Sequence, residues 1–446
     1  MSKQEDDIRH VFVIGLDEIN LAELKTVHGA ENYEFHGLVD YDIMVNPVSY
    51  DMDAIMADAR KTLEEAPAVD AIIGHWDFPT TSMIPILRKE WNLPGPSLES
   101  VLFCENKYWT RVANNRAAPD CCPDYQPLDP FTEEPLRDLQ MDYPFWLKPT
   151  TSFSSYLGFR IETEEQYLEA MSTIRDNIRV FSDPFDKILE YVEHPEVLPP
   201  EGHGPTALAE AIIGGRLCTL EGYVYDGDVV VYGILDSLRG PNLVSFLSYQ
   251  YPSNLPDGVQ NRMCARAGSI LTNIGLNNSP FNMEFFWDPD TDALWLLEVN
   301  PRISKSHCPI FQMATGSSHH EVAIDIALGR RPQFPRDEGR FPMAAKFMPR
   351  VFGDAEVLRV PSDEEIEAVR RHFPEMILDV GIEEGMRLSD LRGQDSYSFE
   401  IADLFIGGQD EEELHQKFRD IMHMLDFRFS EVLPTNYTQQ VETGGR

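Results

Sequence analysis

Positive charge is scarce in this chain. Among its 446 residues, 37 are Lys or Arg against 75 Asp or Glu, a formal net charge of −38. No segment is dominated by basic residues, which argues against nucleic acid and against an anionic membrane as partners. Long apolar runs are missing too. Nothing approaches the ~18 consecutive apolar residues of a membrane span, and residues 1–7 lack the apolar core of a signal segment. The six cysteines are scattered, with only Cys121 and Cys122 adjacent. Neither a zinc spacing nor a disulfide framework is visible, so reduced thiols and a cytoplasmic setting are expected. Glycine forms no phosphate loop: there is no Gly-Lys-Ser or Gly-Lys-Thr, and the protein-kinase signatures are absent. Gly15 ends an apolar strand but is not followed by the dinucleotide fingerprint.

What is present is enough to fold. Hydrophobic residues make up 42% and aromatics 11%, and a chain this long divides into roughly two to four domains. The most informative stretch is a pair of apolar strands that carry acidic residues. Phe281-Asn282-Met283-Glu284-Phe285-Phe286-Trp287 leads into Asp288-Pro289-Asp290-Thr291-Asp292, a polar turn. Leu294-Trp295-Leu296-Leu297-Glu298-Val299-Asn300-Pro301-Arg302 then returns. Side chains alternate with period two, and opposed residues share a face. In a symmetric hairpin Glu284 lies beside Glu298, with Asn300 next along that face. Two carboxylates about 4 Å apart repel by roughly 4 kcal/mol at an effective dielectric of ~20. A cation offsets that repulsion, and two carboxylates with a carboxamide oxygen are hard ligands suited to Mg²⁺, with Mn²⁺ as the alternative. A calcium loop does not fit, because Ala293 and Val299 stand where Gly and Glu are required.

The rest of the chain reads as mixed α/β. Strands at 11–15, 33–39 and 71–74 alternate with helices at 16–27 and 52–65, the pattern of a parallel unit. A helix is expected over 100–117, carrying Lys107 and Arg111. A strand at 143–149 ends on Lys148, and the hydroxyl-rich turn after it contains Thr151, Ser152, Ser154 and Ser155. Residues 164–178 read as a helix, 187–192 as a strand and 194–206 as an exposed loop. Strands at 208–213 and 217–225 flank Gly214-Gly215, and another spans 228–235. A helix covers 320–329, a linker 331–338, and a last α/β segment 341–430. Ammonium groups upstream and divalent-metal ligands downstream are the parts that phosphoryl transfer needs.

At this point the chain resembles the ATP-grasp superfamily, in particular its carboxylate–amine ligases, over residues 70–430. Glu298-Val299-Asn300-Pro301-Arg302 is the most specific element, with Glu284 at the place of the upstream metal-binding Glu. Asn106-Lys107 and Leu147-Lys148-Pro149 resemble the two lysine segments that contact ATP. Ala209-Glu210-Ala211-Ile212-Ile213-Gly214-Gly215 resembles the hinge that meets adenine. The resemblance implies an ATP-grasp fold with an N-terminal parallel α/β domain (1–100) and a first ATP-grasp part (101–150). It further implies a lid subdomain (151–225), an antiparallel metal- and substrate-binding core (226–330), a C-terminal α/β segment (331–432) and a disordered tail (433–446). It implies that Glu284, Glu298 and Asn300 hold Mg²⁺. Lys107, Lys148, Ser152, Ser154, Ser155, Glu210 and Ile213 would contact ATP, and Arg302 would steady the transferred phosphoryl group. A carboxylate, expected to be an amino acid, would be activated as an acyl phosphate and captured by an amine.

The chain departs from that pattern in two places. The loop after Lys148 has one glycine, Gly158, and Leu217 stands nearest to the expected ribose-binding Glu, leaving Glu210 or Glu221 as substitutes. His307 and the pair His319-His320 are expected at the surface or at helix caps, with a substrate contact as the second reading for His307. Arg239 can bind a carboxylate through its fork. Two further readings stay open. The Glu298 to Ser306 run also resembles carbamoyl-phosphate synthetase, a bicarbonate-activating enzyme with two such halves where one occurs here. A nucleotide-binding regulator without turnover is the other. Biotin carboxylase fits less well, because Ser304-Lys305-Ser306 replaces its Gln-Val-Glu. Small-molecule carboxylate and amine substrates are the expected partners, and a homodimer is open to such an enzyme.

Overall fold

The computed structural model describes residues 8–45, 49–152, 157–240, 242, 244–391, 394–395 and 397–435. Near the N-terminus, Arg9–Ile14 pairs in parallel with Tyr33–Leu38 on one side and Ala71–Ile73 on the other. The apolar run of the central strand is buried on both faces. Val11 and Val13 pack toward Ile303, Cys308 and Ile324, whereas Phe12 and Ile14 pack toward Met52 and Ile55. That two-sided burial is what a parallel strand covered by helices requires, and it seats this sheet directly against the segment that follows Arg302.

Two large antiparallel sheets and two small two-stranded ones, Arg350–Val351 with Phe399–Glu400 and Val357–Arg359 with Arg428–Phe429, build the rest. A four-stranded sheet runs Tyr125–Leu128, Ala207–Ala211, Phe145–Pro149, Phe159–Ile161. An eight-stranded sheet runs Leu294–Asn300, Ser279–Trp287, Arg216–Tyr225, Asp228–Arg239, Phe246–Tyr251, Met343–Phe347, Ala402–Gly408, Ile377–Val380. Helix Asp257–Ile274 buries Val259, Met263, Ala267, Ile270, Leu271 and Ile274, one apolar stripe at helical spacing, and ends at Gly275 with φ of 78°. The strands of the C-terminal segment thus extend the sheet that holds the Glu284–Glu298 hairpin. Pro434 and Thr435 pair back onto Phe352 and Val351.

Three local expectations are corrected. The helix expected over 100–117 is two, Leu98–Glu105 and Lys107–Ala117, broken at Asn106. The buried Asn106 carboxamide accepts from the backbone N–H groups of Tyr108 (3.1 Å) and Trp109 (3.2 Å) and donates to the Gly202 carbonyl at 2.8 Å. An asparagine able to cap a new helix outcompetes continuation of the old one. Residues 187–192 are not a strand. Helix Arg179–Leu189 takes their first part, because Phe181, Phe185 and Ile188 recur at helical spacing and are buried together. The segment 194–206 is not exposed throughout: Leu198, Pro199 and Gly202 are buried, whereas 194–197, Pro200, Glu201 and His203 are exposed. The indole N–H of Trp109 donates to the Glu201 carbonyl at 2.7 Å, which ties the segment down there.

Replacing Asn106 by Ala removes the cap and leaves the Gly202 carbonyl without its donor. Loss of an N-cap costs typically ~1 kcal/mol and a stranded buried acceptor ~1–3 kcal/mol. We expect a urea midpoint lowered accordingly at unchanged m value; an unshifted midpoint would show that the chain break is not held by this side chain.

Candidate active site

The carboxylate hairpin forms with Glu284 opposite Glu298 and Asn282 opposite Asn300. This register depends on a bulge. Near the turn the pairs are Trp287 with Leu294 and Phe285 with Leu296, and the ladder slips by one residue between Phe285 and Glu284. Without that extra residue Glu284 would face Leu297. The displaced Leu297 carbonyl accepts from Arg111 Nη2 at 2.8 Å. Bulges re-aim side chains in this way next to functional sites. Burial and the neighbouring Glu298 carboxylate push the Glu284 carboxyl well up, and Arg302 opposes that shift only in part. Two crowded carboxylates short of positive charge fit a divalent cation. Asn300 donates its amide N–H to Asn282 Oδ1 and Glu298 Oε1, both at 3.2 Å, which turns its carboxamide oxygen away from them.

Cations approach this face from three elements. Arg302 Nε donates to Asp77 Oδ1 at 2.6 Å, at the C-terminal end of the third parallel strand. Lys107, first residue of its helix, donates Nζ–H to the Ser152 carbonyl. Burial lowers the Lys107 ammonium and Glu298 draws it back up. A small pocket between these groups is lined by Asp77, Glu105, Lys107, Ser152, Glu298 and Asn300. Lys148 lies on the same sheet face as Glu210, with Nζ 2.6 Å from Glu210 Oε2. Arg111 Nε donates to the other oxygen, also at 2.6 Å. Burial would raise the Glu210 carboxyl, but Arg111 and Lys148 outweigh it and bring it down to about 2.

Ile213 and Gly214-Gly215 line an open cleft of about 1270 Å³, together with Leu217, Arg239 and Trp295. This exceeds the ~300–1,000 Å³ of an ordinary small-ligand pocket and leaves room for a nucleotide. Ser154 and Ser155 lie outside the described residues. Ser152 contributes its carbonyl rather than its hydroxyl. Glu210 is 4% exposed and occupied by two cations, and Glu221 is fully buried and away from the cleft lining, so neither carboxylate is displayed toward a ribose. The Arg239 guanidinium stacks 4.6 Å over the Phe286 ring.

His307 and His319 stand at helix N-caps, as one of the two expectations had it, but none of the three histidines is at the surface. His307, His319 and His320 are 2%, 0% and 0% exposed. His307 Nδ1 is 2.7 Å from Glu221 Oε1, Asn282 donates to that same oxygen at 2.7 Å, and Tyr232 OH lies 3.0 Å from His319 Nδ1. A hydrogen-bonded chain therefore runs from His307 through Glu221 and Asn282 to Asn300. Sequence reading missed Asp77, Glu105 and this chain. Asp77 had one usable signal, its place just beyond the carboxyl end of a parallel strand, where ligands gather in such sheets. Glu105, which burial raises to about 7, had none.

Residues 141–309 match the family model described as ATP-grasp domain. The carbamoyl phosphate synthase large chain, C-terminal section, of Methanopyrus kandleri is 27% identical over 151 residues, 32% of this chain. The match spans 27% of that relative's own length. The L-amino acid ligase from Bacillus licheniformis superposes with a TM-score of 0.71 at 17% identity, covering 95% of this chain and 100% of that one. A biotin carboxylase–β-γ-ATP complex from Campylobacter jejuni gives a TM-score of 0.62 at 15% identity, covering 97% and 94%. At these identities the solved structures speak to the fold alone. The chain carries an ATP-grasp domain, and its mixed parallel and antiparallel architecture is the ATP-grasp fold.

Proposed function

We propose that this protein is an ADP-forming ligase that joins a carboxylate, an amino acid by preference, to an amine through an acyl phosphate. The observation that carries the reading is the grouping of Glu284, Glu298, Asn300 and Arg302 with Lys107 and Lys148, around a small pocket that Lys107, Glu298 and Asn300 line. In this reading ATP lies in the cleft with its adenine against the backbone around Ile213. Lys107 and Lys148 face the phosphates, and Glu210 holds Lys148 in place. Glu284, Glu298 and the Asn300 oxygen would hold Mg²⁺ (or Mn²⁺), which when bound supplies charge neutralisation between the phosphates. Arg302, clamped by Asp77, presents its remaining N–H groups to the transferred phosphoryl group. A carboxylate oxygen attacks the γ-phosphorus and the bond to ADP breaks. The amine nitrogen then attacks the acyl carbon, inorganic phosphate leaves and the amine gives up a proton. The L-amino acid ligase shares this fold, and an amino acid is the donor proposed here. A second reading, bicarbonate as the activated acid, draws on the curated relatives, which are carbamoyl phosphate synthase large chains.

Hydroxylamine traps acyl phosphates as hydroxamates. ADP release and hydroxamate formation should appear together with particular amino acids and Mg²⁺-ATP. ADP release with bicarbonate alone would favour the second reading, and ATP binding without turnover on any acid would overturn both. Glu298→Gln should lower ADP release by ~10²-fold or more, in line with loss of one preorganised charge-stabilising group, while far-UV circular dichroism stays unchanged. Undiminished ATP consumption would remove Glu298 from the site.

Glu210→Gln tests the lysine clamp. It strands Arg111 and Lys148, so unfolding free energy should fall by ~3–5 kcal/mol and the KM for ATP should rise. Because the folded carboxyl sits near 2, below its unfolded value of ~4.3, the stabilisation is complete above the unfolded value. It is lost as pH falls toward the folded value, so urea midpoints of the two proteins should converge between those limits. A constant gap through that window would show that Glu210 is not ionised in the fold.

A further inference from the structure

Behind Arg302 lies a second cluster that phosphoryl transfer does not use. Glu23 comes from helix Glu18–Leu24, and His75 follows the third parallel strand. Cys308 opens helix Cys308–Thr315, and His320 opens helix His320–Ala327. His75, Cys308 and His320 are 2%, 0% and 0% exposed. One ligand atom each from Glu23, Cys308 and His320 lies within 4.8 Å of the others, and His320 Nε2 is 3.5 Å from Glu23 Oε2. The His75 ring stands edge-on to His320 with centroids 5.2 Å apart.

This cluster is short of hydrogen bonds. Glu23 Oε2, both ring nitrogens of His320 and both ring nitrogens of His75 make none among the described residues. Each stranded buried polar atom costs ~1–3 kcal/mol, and native proteins carry only a few such atoms per hundred residues. Glu23 Oε2 and His320 Nε2 stand 3.5 Å apart without a hydrogen bond, and one shared partner would satisfy both. The donor set says which kind. Thiolate, imidazole and carboxylate are the ligands of zinc, and one thiolate with one carboxylate neutralises a dication. Ligand atoms on a tetrahedral zinc with bonds of ~2.0–2.1 Å stand ~3.3–3.4 Å apart, close to the separation of His320 from Glu23. The nearby cations are engaged elsewhere: Lys305 lies 3.7 Å from Asp17 and over the Trp76 ring, and Arg302 is paired with Asp77.

We propose that Glu23, Cys308 and His320 bind one Zn²⁺, with the His75 ring packed edge-on against His320. On binding, the Cys308 thiol gives its proton to solvent as the sulfur–zinc bond forms, and no electrons are transferred. The ion ties the first helix of the N-terminal unit to the two helices that follow Arg302. It is separate from the Mg²⁺ site and does not depend on the ligase reading.

The test is Co²⁺ titration of the metal-stripped full-length protein. A thiolate-to-cobalt charge-transfer band should saturate at one equivalent, vanish in Cys308→Ser and persist in Glu284→Gln/Glu298→Gln. The surface group His10, Glu34 and His36 has no thiol and cannot give that band. Zn²⁺ should displace the cobalt and raise the melting temperature. Should Cys308→Ser fail to fold, zinc-edge X-ray absorption of the wild-type protein decides: one sulfur at ~2.3 Å with nitrogen and oxygen at ~2.0–2.1 Å is expected. An all-nitrogen/oxygen shell, or absence of the cobalt band in folded wild-type protein, overturns the proposal.

Discussion

One buried guanidinium holds the two large antiparallel sheets in register at the site. Arg111, on the helix that Asn106 starts, donates to Glu210 on the smaller sheet and to the bulged Leu297 carbonyl on the larger one. The first bond places the carboxylate that steadies Lys148. The second satisfies the carbonyl that the bulge removes from the ladder, and the bulge brings Glu298 rather than Leu297 opposite Glu284. A lysine in this position could not serve both partners with a planar fork.

The site is built by pairing charges that could not be buried singly. Arg302 is matched to Asp77, Lys148 and Arg111 to Glu210, and Lys346 to Asp403. Removing one partner from such a pair costs far more than the pair contributes, because the remaining ion stays out of water. Glu284 and Glu298 are the exception, a like-charged pair, which is why that face fits a cation. The large acidic excess of the chain plays no part here, since it resides mainly on exposed helices and loops.

Legibility in the sequence followed the range of the interaction. The parallel strands and the carboxylate hairpin were readable because period-two patterns are local. The Glu284 to Glu298 pairing was readable too, although its cause, the bulge held by Arg111, was not. The strand expected at 187–192 failed because six residues can satisfy either period, and only burial of Phe181, Phe185 and Ile188 together decided for a helix. His307 and His319 do stand at helix N-caps, but the burial of His307, His319 and His320 was not legible because their neighbours, Glu221, Tyr232 and Glu23, are remote in sequence.

The sequence by itself therefore determined most of the elements, the two carboxylates and the carboxamide that share one hairpin face, and the positions of Lys107 and Lys148, all carried by short motifs whose spacing is set by backbone geometry. The tertiary structure decided which charges neighbour one another. It placed Asp77 against Arg302, put Glu210 between two cations, withdrew Glu221 from the cleft, and gathered Glu23, His75, Cys308 and His320 behind the site. Such encounters depend on how sheets and helices pack across long loops, and no local pattern encodes them.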